Sequence, residues 1–146
     1  MQVQMKGQYG MDDMLIQIIR QNSLCVLSTC GSGGTNASLM QYVPAENFGR
    51  ICMMTRRDRK YMEIIENPQV SLLIDNRNSA GSVYALTVFG KAEVLGKGAW
   101  DEDAAERLFA INADLKEMAM QTDCVMINLV VGGTFLATRA FEARGK

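Results

Sequence analysis

The chemistry open to this chain is bounded first by a residue type it lacks: its 146 residues include no histidine. Imidazole general-base catalysis, Ser-His and Cys-His nucleophile pairs and histidine metal sites are excluded together. Carboxylates, thiols, hydroxyls, cations or a borrowed cofactor remain. The one locally discordant cluster runs Thr55, Arg56, Arg57, Asp58, Arg59, Lys60. Thr55-x-x-Asp58 resembles a weak capping box and predicts a helix from about Arg56, with Tyr61, Ile64 and Ile65 on one face and a stop before Pro68. Four cations then crowd a helix start that already carries about +0.5 charge, each disfavoured by roughly 0.3–1 kcal/mol when exposed. An anion reverses that sign, because free N–H groups, the dipole and the cations all point at one phosphate. A solvated basic face paired with Glu63 or Glu66 is the competing reading. The preceding strand tips the balance. It ends in a hydroxyl, so phosphate could sit at its end while its apolar surface holds something flat.

The other candidate groups point to structure. Cys25, Cys30, Cys52 and Cys124 show no metal-binding spacing and read as buried, reduced thiols. The glycine-rich GSGGTN lacks the GK[ST] of a phosphate loop and is followed by strand pattern, so it reads as a hairpin turn. Asp12, Asp13 and the acidic run over 101–106 read as helix starts, and Trp100 and Tyr84 as packing residues. No side chain stands out as a catalytic acid, base or nucleophile. Fifteen basic residues against 16 acidic ones give a net charge of −1, no footprint for nucleic acid. No apolar run approaches the ~18 residues of a membrane span. The start lacks the apolar core of a signal peptide, and with its unpaired thiols the chain is expected in the cytoplasm.

The elements that must position these residues follow from hydrophobic period. A helix is predicted over about 11–21, where Met14, Leu15, Ile18 and Ile19 share a spacing. LCVLSTC and ASLMQYV form a hairpin, RICMMT a third strand, and QVSLLID a fourth with Val70, Leu72 and Ile74 on one face. NRNSAGS is a turn, and VYALTVFGKAEVLG a long strand bent or bulged at Gly90. Helical pieces follow at WDEDAAERLFAIN, capped by Asp101, and at DLKEMAM. TDCVMINLVV and GTFLATRAFE close the chain as two β-segments joined at Gly132-Gly133, and ARGK is expected to fray. Many strands joined by short turns in a chain this long indicate one mainly β domain over 1–146, a closed or partly closed antiparallel barrel, with 1–10 flexible.

The series ASLMQYV, RICMMTRRDRKYMEIIENPQVSLLI and VFGKAEVL resembles the pyridoxamine 5'-phosphate oxidase-like family of FMN-binding split barrels. The likeness is good over about 12–98 and loose thereafter. It implies a six-stranded antiparallel split β-barrel with flanking helices, a homodimer with FMN at the interface, and an unidentified small-molecule redox substrate. Ser38, Leu39, Met40 and Gln41 would then lie along the isoalloxazine, mostly through backbone groups. Met54 and Thr55 would flank the ribityl-phosphate, Arg59 and Lys60 match the phosphate-binding pair, and Arg56 or Arg57 could assist.

The chain also departs from that pattern. Asp58 stands where the oxidases commonly have serine, the loop is about one residue shorter, and Ala85 replaces a glutamine near the flavin. The C-terminal arginine-and-histidine substrate motif is missing. Oxidation of pyridoxamine phosphate is therefore not expected. An FMN oxidoreductase acting on another substrate is the leading expectation, since a flavin supplies redox chemistry that a histidine-free protein need only position. The alternatives are a non-catalytic flavin-binding or sensing module, or the same barrel holding heme or a deazaflavin. Dimerisation is further expected because CVMINLVV is more apolar than a one-sided strand needs.

Overall fold

Residues 2–4, 13–76 and 84–138 are described by a computed structural model. Asp12, the NRNSAGS turn beyond Asn76, the ARGK end and, apart from Gln2–Gln4, the stretch 1–10 lie outside them; Gln2–Gln4, expected to be flexible, is a strand paired with β8. The elements are β1 (Gln2–Gln4), α1 (Asp13–Gln21), β2 (Leu24–Gly31), β3 (Gly34–Gln41), β4 (Val43–Pro44), β5 (Arg50–Arg56), α2 (Arg59–Glu66), β6 (Gln69–Asp75), β7 (Tyr84–Leu95), α3 (Glu102–Ile111), α4 (Ala113–Ala119) and β8 (Cys124–Thr138). One antiparallel sheet runs β3-β2-β6-β7-β8-β5-β4, with β1 paired to β8. It curls into a split barrel with flanking helices. Six of its strands have seven residues or more, and β1 and β4 are short additions.

Two apolar layers follow from strand alternation. Leu27, Ile51, Met53, Leu72, Ile74, Leu86, Ile127, Leu129 and Leu136 fill the barrel interior, which α1 closes with Leu15, Ile18 and Ile19. On the outer face of β4, β5 and β8, Val43, Cys52, Met54, Cys124 and Met126 pack against Ala104, Ala105, Leu108 and Leu115 of α3 and α4. The apolar surplus of CVMINLVV is thereby explained within one chain, because β8 is covered on both faces. It does not signal a partner surface.

Four sequence expectations are corrected. β8 is one continuous strand through Gly132-Gly133, not two segments. The register shift falls opposite Phe89 and Gly90, leaving Gly132 as the extra residue of a bulge. A Cβ on Gly90 would overlap the Val130 carbonyl oxygen, so the bulge expected at Gly90 is where only glycine fits. The helix after β5 starts at Arg59, not Arg56. Thr55 and Arg56 remain in the β-ladder opposite Val125 and Cys124, and Asp58 takes the cap, its Oδ1 accepting the Tyr61 N–H at 3.2 Å. Cys30 is exposed, because it has the opposite parity to buried Cys25 on β2. Met14 and Ile65, expected on apolar helix faces, are also exposed.

Candidate functional site

The split in the barrel opens where one strand changes partners. β3 pairs with β2 throughout Gly34–Gln41, and Tyr42 still donates its N–H to the Ser23 carbonyl at 2.9 Å. From Val43 the chain pairs with β5 instead, in the two registers Val43↔Cys52 and Pro44↔Ile51. Beyond Cys52 the edge of β5, from Met53 to Arg56, has no strand partner on that side among the described residues. Backbone groups of alternate residues therefore face an opening bounded by β3 and β5. Unpaired strand-edge groups of this kind can bind the polar rim of a flat ligand.

The predicted cofactor residues line up along this opening by face. On β3, Met40 packs into the barrel interior, whereas Leu39 is 66% exposed on the outer face. Ser38 accepts from Asn36 Nδ2 at 3.2 Å, and Gln41 Oε1 accepts from Asn112 Nδ2 at 2.7 Å, tying β3 to the α3–α4 junction. On β5, the Met54 side chain is buried beneath α3 and α4, so only its backbone can reach a ligand. Thr55 alternates to the other face and is 3% exposed. The side chains of Met40 and Met54 thus belong to two different cores, which their shared residue type did not reveal.

Thr55 is the point where the strand edge meets the cations. Its hydroxyl donates to Asp58 Oδ2 at 2.9 Å and accepts from Lys60 Nζ at 3.2 Å, and Lys60 also pairs directly with Asp58. Burial raises the Asp58 carboxyl, but hydrogen bonds from Lys60, Thr55 and the Tyr61 N–H outweigh it and hold the group below its ordinary value. Arg59 Nε lies 3.4 Å from Glu63 Oε2, and Glu63, itself 6% exposed, also accepts from Thr29 Oγ1 at 2.7 Å. Arg57 stacks over the Tyr61 ring at 5.6 Å. Arg56 leaves the strand on the face opposite Thr55 and pairs with Asp123 at 2.8 Å, so Lys60 and Arg56 are not brought together. Arg59 pairs with Glu63, and Lys60 lies beside the Thr55 hydroxyl near the end of β5. Glu66 instead accepts from the Ser32 N–H at 2.7 Å.

Asp58, Glu63 and Thr29 were not singled out as site residues. Asp58 was legible as a departure from the expected serine. The reach from Thr29 to Glu63 spans 34 residues and left no local signal. It requires α2 to press on the end of β2, where a Cβ on Gly31 would lie 3.1 Å from Glu63 Cγ. A cavity of about 790 Å³ lies elsewhere, between the end of α1, β4 and α3, and none of the predicted site residues line it. No three His, Cys, Asp or Glu side chains cluster as a metal site among the described residues, and no helix there is long and apolar enough to cross a membrane.

Among solved structures, HutZ, the heme storage protein from Vibrio cholerae, superposes with a TM-score of 0.70 at 14% identity, covering 85% of this chain and 92% of that one. General Stress Protein 26 from Bacillus anthracis gives 0.66 at 21% identity, over 83% and 88%. A FAD-binding protein from Mesorhizobium loti gives 0.65 at 12% identity, over 87% and 96%. At these identities the likeness is one of fold. No curated protein is significantly similar in sequence. The model of the pyridoxamine 5'-phosphate oxidase family matches residues 11–132, from α1 into the β8 bulge, and the chain belongs to that family.

Proposed function

We propose that this protein is an FMN-binding flavoprotein that acts as an oxidoreductase on a small molecule other than pyridoxamine phosphate. The observation that carries this is the unpaired edge of β5 from Met53 to Arg56, whose Thr55 lies beside Lys60, with Arg59, at the start of α2. The strand edge offers N–H and C=O groups to a ring, and the cations offer charge to a phosphate. Bound there, a flavin would supply hydride or single-electron transfer, and the protein would hold and orient it. Ser38 to Gln41 would line one side of the ring, Met54 would contribute backbone groups, and Thr55, Arg59 and Lys60 would take the phosphate. Arg56 would enter the site only by leaving Asp123. The missing C-terminal substrate motif argues against pyridoxamine phosphate as substrate.

The site is completed, on this reading, by a second copy of the chain. Leu39, Val26 and Leu73 lie side by side across β3, β2 and β6 on the outer face, with Leu24 next to them. Leu24, Leu39 and Leu73 are 47%, 66% and 36% exposed, an apolar stripe adjoining the predicted ring-binding strand. A homodimer that buries the stripe would enclose the cofactor between protomers. A reducing cytoplasm suits the free thiols.

Titration with FMN and riboflavin tests the assignment. Replacing both Arg59 and Lys60 by alanine should weaken FMN at least about tenfold while changing riboflavin little. Equal loss of both ligands would refute the phosphate assignment, and a protein that takes up neither would refute the flavin reading. The likeness to a FAD-binding protein favours one variation, in which the flavin is a dinucleotide. Heme is disfavoured as an axial-histidine complex, since there is no histidine to ligate the iron.

A further inference from the structure

We propose that Asp58 is a specificity-determining residue of the phosphate end, penalising a terminal, doubly charged phosphomonoester more than the singly charged flavin-proximal phosphoryl of a dinucleotide diphosphate; this rests on the flavin reading above. The argument is one of charge and position. Arg56, Arg57, Arg59 and Lys60 are set against Asp58, Glu63 and Asp123, a formal surplus of one positive charge. Three of the four cations are already held by a carboxylate. Arg57 stacks on Tyr61 and makes no close ion pair among the described residues, though its charge acts on Asp123.

The three carboxylates are not equivalent. Asp123 lies on the loop before β8, where it binds the outward-facing Arg56 and feels the charge of Arg57. Glu63 is turned toward Thr29 and the end of β2. Asp58 sits at the mouth itself, where its Oδ2 takes the Thr55 hydroxyl and the Lys60 ammonium, the two groups a phosphate oxygen would use. Its Oδ1 is fixed by the Tyr61 N–H, so the carboxylate cannot leave without uncapping α2. A phosphate entering beside Lys60 therefore lies close to a fixed negative charge. The repulsion between two such groups grows with each charge on the phosphate. A phosphomonoester carries between one and a half and two charges at neutral pH, roughly. The flavin-proximal phosphoryl of FAD carries one, its second charge being displaced onto the next phosphoryl.

The test compares riboflavin, FMN and FAD binding at pH 8 to the full chain and to Asp58→Asn and Asp58→Ser. Both replacements are good helix caps, so the start of α2 is retained, which circular dichroism checks. Scoring each ligand as variant over wild type cancels whatever the adenosine of FAD gains or loses on its own. Both variants should strengthen FMN about tenfold, strengthen FAD by less than about threefold, and leave riboflavin unchanged. Equal gains for FMN and FAD, or no gain for either while riboflavin still binds, overturn the role of Asp58. Failure of the wild-type chain to bind any of the three overturns the flavin reading and this proposal with it.

Discussion

Glu63 does two jobs with one carboxylate: Oε1 satisfies the buried Thr29 hydroxyl and Oε2 meets Arg59. Glu63→Ala leaves the Thr29 hydroxyl without its acceptor and should cost about 1–3 kcal/mol of stability in urea denaturation. A loss under about 0.5 kcal/mol would mean the bond holds nothing together. Asp58 makes a pH prediction whose sign follows from its lowered folded value. Its stabilisation is complete above the unfolded carboxyl's titration near pH 3.8 and is lost as pH falls through the lower folded value. Asp58→Asn should therefore lose less stability than wild type between pH 7 and pH 3, measured by denaturation at each pH. Equal acid sensitivity would refute the contribution. Burial pushes the Cys25 and Cys52 thiols up to about 12 and raises Cys124, whereas Cys30 is exposed. A thiol reagent at pH 8 should label one cysteine of four quickly in the native protein, and Cys30→Ser should abolish that fast phase.

At the scale of elements, the long β7–β8 pair carries the sheet through its bend, and the bulge at Gly90 permits it. Gly90→Ala forces backbone to move and should destabilise by about 3 kcal/mol or more, whereas Gly33→Ala, at a turn with open space around it, should stay within about 0.5 kcal/mol. Similar effects at both positions, by thermal or urea denaturation, would sink this account. Gly90 was readable as a bulge because glycine inside a strand pattern has few other uses. The continuity of β8 through Gly132-Gly133 was not, because paired glycines look the same in a turn and a bulge. The start of α2 was misplaced for a related reason. Thr55 and Asp58 are both cap-forming residues, and only the ladder between β5 and β8 shows that Thr55 is still strand.

At the scale of the whole molecule, the stripe of exposed Leu24, Leu39 and Leu73 makes the dimer testable separately from the cofactor. Leu39→Asp with Leu73→Asp should give a monomer by light scattering at micromolar concentration, with flavin affinity reduced along with it. A dimer that survives both changes would place the interface elsewhere. The sequence by itself determined the mainly β class, the order of elements and the basic cluster, because alternation, turn residues and charge at a helix start are local. It also excluded, through the absence of histidine, imidazole catalysis and histidine ligation of a metal or heme. Only the tertiary structure decided which strand edge lies open. That depends on the chain leaving β2 after Tyr42 and taking up β5 at Val43, a change of pairing partner with no mark in the local pattern. It likewise decided that Met40 and Met54 point into separate cores and that Asp58 faces Lys60, because side-chain direction depends on register across strands far apart in the chain.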